Sequence, residues 1–173
     1  MSKLERVQSR SRNHSDEVMP DTLLPMRSFA HSLPMALLAT RENVMSHFRP
    51  LLREYGVTEQ QWRVLRALVE TNRIEVTELA RRSYILSPSL SRILHNLVER
   101  GLATRSSVAA DQRRALIAIT KKGRDLVDTI APHSEQYYAT IETAFGNDKL
   151  TLLFTQLAEL NAALGRNADC GQT

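Results

Sequence analysis

The sequence predicts a mainly α fold with one small β-hairpin, an α+β arrangement. Apolar residues recur at three- and four-residue spacing through most of residues 32–101 and 120–164, as in amphipathic helices. Between these stretches, from Leu102 to Ile119, apolar and polar residues alternate with a period of two. A chain of 173 residues with 42% hydrophobic content is long enough for one domain with a core. We therefore expect a single domain over residues 32–167, a flexible extension over residues 1–31 and a flexible tail over residues 168–173.

The first two predicted helices have clear boundary signals. One begins near Ser32 and ends at Gly56, with an apolar stripe along one side. Thr58 and Gln61 have the spacing of a capping box, which predicts the start of the second helix, and Asn72 is a suitable residue to end it.

The third and fourth predicted helices are separated by a tight turn, the layout of a helix-turn-helix. We expect Glu75 and Val76 to form a short strand and Thr77 to cap the third helix, which ends near Tyr84. The fourth helix occupies the stretch SPSLSRILHNLVERG, with Ser87 expected as its cap and a glycine at its end.

The polar side of the fourth helix carries side chains that can read base edges or bind phosphates. These are small hydroxyls, one arginine, one histidine and one amide. An ordinary solvated face is the alternative interpretation. The candidate DNA-contacting residues are Ser87, Ser89, Ser91, Arg92, His95 and Asn96.

A predicted hairpin follows the fourth helix, with strands Leu102 to Val108 and Leu116 to Ile119 and a polar tip over residues 109–114. A hairpin at this position is a wing, and an arginine at its tip can enter a minor groove of negative potential. A solvated turn is the alternative. We expect Arg113 and Arg114 to contact DNA, and Asp111 to hold Arg113 extended by a charge-assisted hydrogen bond.

Two further helices are predicted after the hairpin. Thr120 is placed to cap the fifth helix, Pro132 to break or kink it, and Gly146 to end it, while Asn147 is placed to cap the sixth. The apolar stripes of these helices and of the first exceed what a winged helix-turn-helix covers. We expect them to form a homodimer interface, with an intramolecular cap as the alternative.

Composition excludes several classes of protein. The 23 basic and 19 acidic residues give a net charge of +4, which only weakly favours a nucleic-acid partner. No apolar run is long enough to span a membrane and no signal peptide is evident, so we expect a cytoplasmic protein. The single cysteine, Cys170, excludes an intramolecular disulfide. Catalytic motifs are absent and the five histidines are scattered, so we expect no enzyme, no metal and no cofactor.

These residues resemble the MarR family of transcriptional regulators. SPSLSRILHNLVERGLATR is similar to the family's recognition helix and first wing strand, and DQRR followed by ALIAITKKG is similar to the wing tip, second wing strand and start of the fifth helix. MALLATRENVMSHFRP joined to GVTEQQWRVLRALVE resembles the branch that represses homoprotocatechuate (3,4-dihydroxyphenylacetate) degradation operons.

The resemblance implies an obligate homodimer that represses transcription from a pseudo-palindromic DNA operator. It further implies an aromatic carboxylate effector, bound between the dimerisation helices from both termini and the winged domain, that releases the DNA. By position, the residues that match the family's DNA-reading segment and wing are Ser87, Ser89, Ser91, Arg92, Asp111 and Arg113.

Four residues of the first two helices are candidates for binding such an effector. Arg41, His47 and Arg63 offer cations, and Trp62 offers a ring for stacking, although each cation can equally be a solvated surface residue. A DNA-binding regulator of other genes, such as stress or efflux genes, that answers to no phenolic effector is the competing function.

Overall fold

A computed structural model describes residues 28–108 and 111–168 of the chain, and the side chains of these residues except 30, 108, 111–114 and 166–168. Most of the predicted extension and tail, including Cys170, lies outside the described residues. The chain divides into two units, Met1–Ala39 and Thr40–Thr173. In the first unit, Phe29–His31 form a 3-10 turn in which the Ser28 hydroxyl and His31 Nδ1 are 2.7 Å apart.

The described residues form helices and one small antiparallel sheet, which confirms the predicted fold class. The elements in chain order are α1 (Leu33–Glu54), α2 (Glu59–Thr71), β1 (Arg73–Glu75), α3 (Val76–Ser83), α4 (Ser87–Glu99), β2 (Ala103–Val108), β3 (Asp111–Ile119), α5 (Lys121–Phe145) and α6 (Asn147–Ala168).

The boundaries of α2 confirm two predictions. The Gln61 amide N–H donates to the Thr58 hydroxyl at 3.2 Å, and the Thr58 N–H donates to Gln61 Oε1 at 2.9 Å, so the capping box is complete. Asn72 ends the helix with a φ of 58°, a conformation that asparagine tolerates better than most residues. Its side-chain oxygen accepts a hydrogen bond from Arg124 Nη2 at 2.6 Å, which ties the end of α2 to α5.

The predicted start of α3 is two residues late, and Val76, predicted to be in the strand, is helical. Thr77 does not cap this helix, since Glu75 holds the N-cap position and Val76 is the first helical residue. The cause is the sheet: β1 pairs with β3 in the register Glu75↔Leu116, so extended backbone continues to Glu75. The helix begins immediately afterwards, and Thr77 is already inside its first turn.

The predicted caps of α4 and α6 are also one residue late. Ser87 is the first helical residue of α4, and Leu86 holds its N-cap position. Tyr84 takes the left-handed conformation and Ile85 is buried in the core, so the turn needs only three residues. Asn147 is likewise the first helical residue of α6, because the carbonyl of Gly146 already accepts a hydrogen bond from the Leu150 N–H at 3.0 Å.

The sheet has the order β1-β3-β2, with β2 and β3 forming the predicted hairpin. Its tip is shorter than expected, because β3 begins at Asp111 and only residues 109 and 110 separate the strands. A register shift accounts for the difference, since Ser107 pairs with Ala115 whereas Val108 pairs with Asp111. Residues 112–114 of β3 therefore have no paired residue in β2, as in a bulge.

Helix α5 is continuous through Pro132, so the helix is not broken there, and the alternative of a kink stays a prediction. Proline removes one hydrogen bond, to the carbonyl of Asp128. Both residues are exposed, so water can reach that carbonyl. Ile130 and Ser134 on the opposite side are fully buried, and their packing holds the helix on both sides of the proline. Thr120 caps the helix as predicted, with its hydroxyl accepting from the Gly123 N–H.

The hydrophobic core lies where α2, α3, α4 and the sheet meet. The side chains in it with less than 2% exposure include Leu65 and Leu68 of α2, Leu79 of α3 and Ile117 of β3. Helix α4 contributes four buried apolar residues, whereas its Val98 is 37% exposed, so the core fixes which side of this helix is left for solvent.

Candidate nucleic-acid interface and ligand cavity

Helix α4 presents one polar face to solvent. Leu90, Ile93, Leu94 and Leu97 are buried at three- and four-residue spacing. The predicted reading residues Ser87, Ser89, Ser91, Arg92 and His95 are all exposed on the other side.

The exposed residues of α4 differ in how far their side chains are already bonded. The Ser91 hydroxyl donates to the Ser87 carbonyl at 3.1 Å, and His95 Nε2 lies 3.1 Å from Glu99 Oε1. The side chain of Arg92 makes no hydrogen bond or ion pair with any other described residue. Its guanidinium is therefore the cation of this face that is free to bind a base or a phosphate.

Asn96 is placed differently from the other predicted reading residues. It is half-buried, and its Oδ1 accepts a hydrogen bond from Gln61 Nε2 at 2.8 Å. The same glutamine closes the capping box of α2 with its oxygen. Asn96 therefore joins α4 to the start of α2, a contact between distant parts of the sequence that its helical position did not reveal.

The wing residues are described only in part. The backbone of Asp111, Arg113 and Arg114 belongs to β3, but their side chains lie outside the described ones. Two exposed arginines of the sheet were not among the predicted contacts: Arg73 donates to the Ser106 hydroxyl at 3.4 Å, and Arg105 lies on β2.

A cavity of about 480 Å³ lies beside α2 in the second unit. Its lining comes from α1, α2, the end of α3 and the middle of α5. The lining residues are Arg41, Val44, Met45, Phe48, Glu59, Trp62, Arg63, Arg66, Ala67, Glu70, Arg82, Ser83, Tyr84 and Tyr138. Three of the four predicted ligand residues, Arg41, Trp62 and Arg63, therefore line one cavity, whereas His47 is exposed and outside the lining.

Arg41 is already paired with carboxylates. Its guanidinium bonds Glu42 Oε1 at 2.7 Å and also contacts Glu59. Arg49 bonds the same two carboxylates, at 2.7 Å to Glu42 and 3.2 Å to Glu59. The hydrogen bond from Arg49 is the main cause that lowers the pKa of Glu42, so this network is charged.

Arg63 is the lining cation that has a buried N–H without an acceptor among the described residues. Its Nη1 donates to the Ser83 carbonyl at 2.9 Å, but its Nε is buried and has no partner among the described residues. Burial, followed by the positive charge of Arg41, lowers the pKa of the Arg63 guanidinium below its usual value. The cavity wall thus contains a partly desolvated cation with an unused N–H.

Trp62 and Arg66 form the aromatic part of the wall. The Arg66 guanidinium carbon lies 5.8 Å from the centre of the Trp62 ring, within the range of a cation–π contact. The ring of Tyr138 lies 5.1 Å from that of Phe48. Arg66 was missed from the sequence, although its position four residues after Trp62 places both on one face of α2.

Within the described ranges, no group of three or more His, Cys, Asp or Glu side chains could hold a metal ion. A search of those same residues also finds no helix long and apolar enough to cross a membrane.

Comparisons with known proteins agree with this architecture. Residues 55–114 match the model of the MarR family. The chain is 40% identical over 136 residues to the homoprotocatechuate degradative operon repressor of Escherichia coli, which covers 79% of this chain and 91% of that protein. It is 37% identical over 137 residues to the transcriptional regulator FarR of Neisseria gonorrhoeae, which covers 79% of this chain and 94% of the relative.

A solved structure of NadR in complex with 4-hydroxyphenylacetate superposes with a TM-score of 0.68 and 37% identity, covering 79% of this chain and 97% of the other. The resemblance to the branch of the homoprotocatechuate repressor is thus confirmed. One conclusion follows from the helix-turn-helix of α3 and α4, the wing of β2 and β3, and these relatives. The chain belongs to the MarR family, and it is a DNA-binding transcriptional repressor.

Proposed function

We propose that an aromatic carboxylic acid, 3,4-dihydroxyphenylacetate or a close analogue, binds in the cavity beside α2 and releases this repressor from the operator of an aromatic-acid degradation operon. Two relatives support this effector class by name: one represses a homoprotocatechuate operon, and another was solved with 4-hydroxyphenylacetate. The cavity volume of about 480 Å³ lies within the range of about 300–1,000 Å³ of small-molecule sites.

The observation that carries the proposal is the buried, unpartnered Nε of Arg63. A buried N–H without an acceptor costs about 1–3 kcal/mol, and a ligand carboxylate in the cavity would supply that acceptor. The carboxylate would also bring a negative charge to a wall that holds Arg63 and Arg66. Trp62 offers an aromatic surface for the ring of the acid.

The regulatory step requires that the effector bind the DNA-free geometry more tightly than the DNA-bound one. A hundredfold loss of operator affinity corresponds to a coupling free energy of about 2.7 kcal/mol. One charge-assisted hydrogen bond to a desolvated guanidinium contributes on the order of 1.5–3 kcal/mol. A single carboxylate–arginine contact made in only one of the two geometries therefore supplies at least about half of this coupling, and all of it at the upper end of the range.

The operator is bound by a homodimer in this proposal. Helix α6 leaves Leu152, Phe154 and Leu164 more than half exposed, at 56%, 61% and 57%, and this apolar area on more than one side of the helix is suited to being covered by a second copy. The two copies place their α4 helices in successive major grooves about 10 bp apart, with Arg92 reading bases and Arg113 entering the minor groove.

The test is a titration of operator-bound protein with four acids: 3,4-dihydroxyphenylacetate, 4-hydroxyphenylacetate, a hydroxycinnamate and salicylate. Release is followed by fluorescence anisotropy of labelled operator, and binding to free protein by calorimetry. Arg66→Ala should weaken effector binding about tenfold, the effect of one lost cation contact. Arg53→Ala, an exposed arginine of α1 outside the cavity, is the matched control.

No release and no calorimetric binding with any of the four acids would overturn the effector proposal. That outcome would favour a regulator of other genes that answers to no phenolic effector. Release unchanged by Arg66→Ala would place the binding site away from this cavity.

A further inference from the structure

The turn that joins α3 to α4 is short, so the end of α3 determines where the reading helix begins. Only Tyr84, Ile85 and Leu86 separate Ser83, the last residue of α3, from the first residue of α4. Ile85 is buried in the core and Tyr84 is left-handed with a φ of 51°, so the turn has little freedom of its own. A shift of the Ser83 carbonyl is therefore passed on to α4.

The carbonyls at the end of α3 have different donors. The N–H groups of Tyr84 and Ile85 both donate to the Ala80 carbonyl, which closes the end of the helix. The Ser83 hydroxyl donates to the Leu79 carbonyl at 2.6 Å. The Ser83 carbonyl instead receives a charged donor from another helix, Arg63 Nη1 of α2 at 2.9 Å.

Arg63 adjoins both the cavity and the turn. Arg63, Ser83 and Tyr84 all line the cavity, and the Nε of Arg63 is the buried donor without a partner among the described residues. A guanidinium binds a carboxylate best through two parallel N–H groups, and a carboxylate is a stronger acceptor than a backbone carbonyl. The Ser83 carbonyl is bonded by Nη1, whereas that pair of N–H groups is Nε with the other terminal nitrogen, and Nε is buried. A cavity carboxylate that bonds Nε must therefore turn the planar group, and this rotation draws Nη1 away from the Ser83 carbonyl.

We infer that Arg63 is a positioning residue that holds the α3–α4 turn through the Ser83 carbonyl, and that the effector carboxylate releases the turn by competing for this guanidinium. The effector part of this inference rests on the proposed function. By linkage, an effector that weakens the Arg63–Ser83 bond lowers operator affinity, and operator binding, which needs that bond, lowers effector affinity by the same factor.

The experiment measures the operator dissociation constant with and without saturating 3,4-dihydroxyphenylacetate, and the ratio of the two constants is the release factor. Arg63→Ala should weaken operator binding without effector by about 10- to 100-fold, the range for a lost charged hydrogen bond. Its release factor should fall to within about twofold of one, because the bond that the effector breaks is already absent. Arg63→Lys, which keeps a charged donor, should restore part of the operator affinity.

Two other variants separate this role from a general effect of losing a cation. Arg53→Ala should keep both the operator affinity and the release factor. Arg66→Ala should need more effector for release but should reach the wild-type release factor at saturation, since Arg66 contacts Trp62 rather than α3. Circular dichroism and thermal unfolding at one protein concentration show whether each variant is folded, and Arg63→Lys serves as the test if Arg63→Ala is not.

Each result decides one part of the inference. An Arg63→Ala protein with wild-type operator affinity would overturn the positioning role. An Arg63→Ala protein that binds the acid and keeps the full release factor would overturn the competition. If the wild-type protein binds none of the acids, the proposed effector function fails, while operator affinity without effector still decides whether Arg63 positions the turn.

Discussion

Gly123 in the first turn of α5 has no room for a side chain. A Cβ built on it would lie 2.1 Å from the Leu102 carbonyl oxygen and 3.0 Å from Ile119 Cγ1. Three hydrogen bonds join this turn to residues 100–102, the link between α4 and the wing. The Thr120 N–H donates to the Leu102 carbonyl at 3.1 Å, its hydroxyl donates to the Gly101 carbonyl at 2.7 Å, and Lys122 Nζ donates to the Arg100 carbonyl at 2.8 Å.

Gly123→Ala must move the two segments apart by about 0.9 Å, because Cβ atoms essentially never approach another atom within 3.0 Å. Overpacking of this kind costs about 1–3 kcal/mol. The same displacement breaks the longest of the three hydrogen bonds, at about 0.5–1.5 kcal/mol. The higher helix propensity of alanine offsets about 1 kcal/mol of this destabilisation. We expect a net loss of about 2 kcal/mol in the free energy of unfolding.

Thermal unfolding at a fixed protein concentration should show this loss as a lower midpoint, by about 4–8 °C for a chain of this size. Gly165→Ala in α6 is the matched control, since a Cβ there meets nothing within 4 Å and the substitution should stabilise or be neutral. A Gly123→Ala protein at least as stable as the wild type would refute the assigned contact between α5 and the wing base.

Three further predictions concern reading, charge and assembly. Arg92→Ala should reduce the ratio of operator to random-DNA affinity at fixed salt by about 10-fold or more. Asn96→Ala should mainly lower the unfolding midpoint, since its amide is bonded to Gln61. An unchanged affinity ratio for Arg92→Ala would show that another face reads the operator. Hydrogen bonds from Arg81 and then Arg82 lower the pKa of Glu78 from 4.5 to about 2. The stabilising effect of the Glu78 carboxylate is therefore complete above about pH 4.5 and is lost as the pH falls towards 2. Glu78→Gln should flatten the dependence of the unfolding midpoint on pH in this window, and an equally steep curve would contradict this assignment. Deletion of residues 147–173 should leave a monomer by sedimentation with little operator affinity, and a folded truncated dimer would place the interface elsewhere.

The sequence predicted the elements better than their ends. The capping box of Thr58 and Gln61 was recognisable because both of its partners lie within one turn of the chain. Thr77, Ser87 and Asn147 were chosen as caps for their side chains alone. The starts of these helices are instead set by the pairing of β1 with β3, by the burial of Ile85 and by the use of Gly146 in two helix ends.

The candidate site shows the same division between local and distant information. Helical periodicity was sufficient to place the polar residues of α4 on one side of the helix. It did not reveal that Asn96 is bonded to Gln61, because these residues are 35 positions apart. Arg66 was within reach of sequence reasoning, since it follows Trp62 by one helical turn.

The partners of the cavity arginines decide which of them can contribute binding energy to an acidic ligand. At Arg41, a ligand carboxylate would have to displace Glu42 or Glu59, and exchanging one carboxylate for another gains little. At Arg63, the same carboxylate meets a buried N–H that has no acceptor among the described residues, so the new bond removes an existing penalty. Both arginines have the same charge in the sequence, but only Arg63 combines an unused donor with a bond to the carbonyl at the end of α3. The arginine that gains most from the ligand is therefore also the one connected to the reading helix.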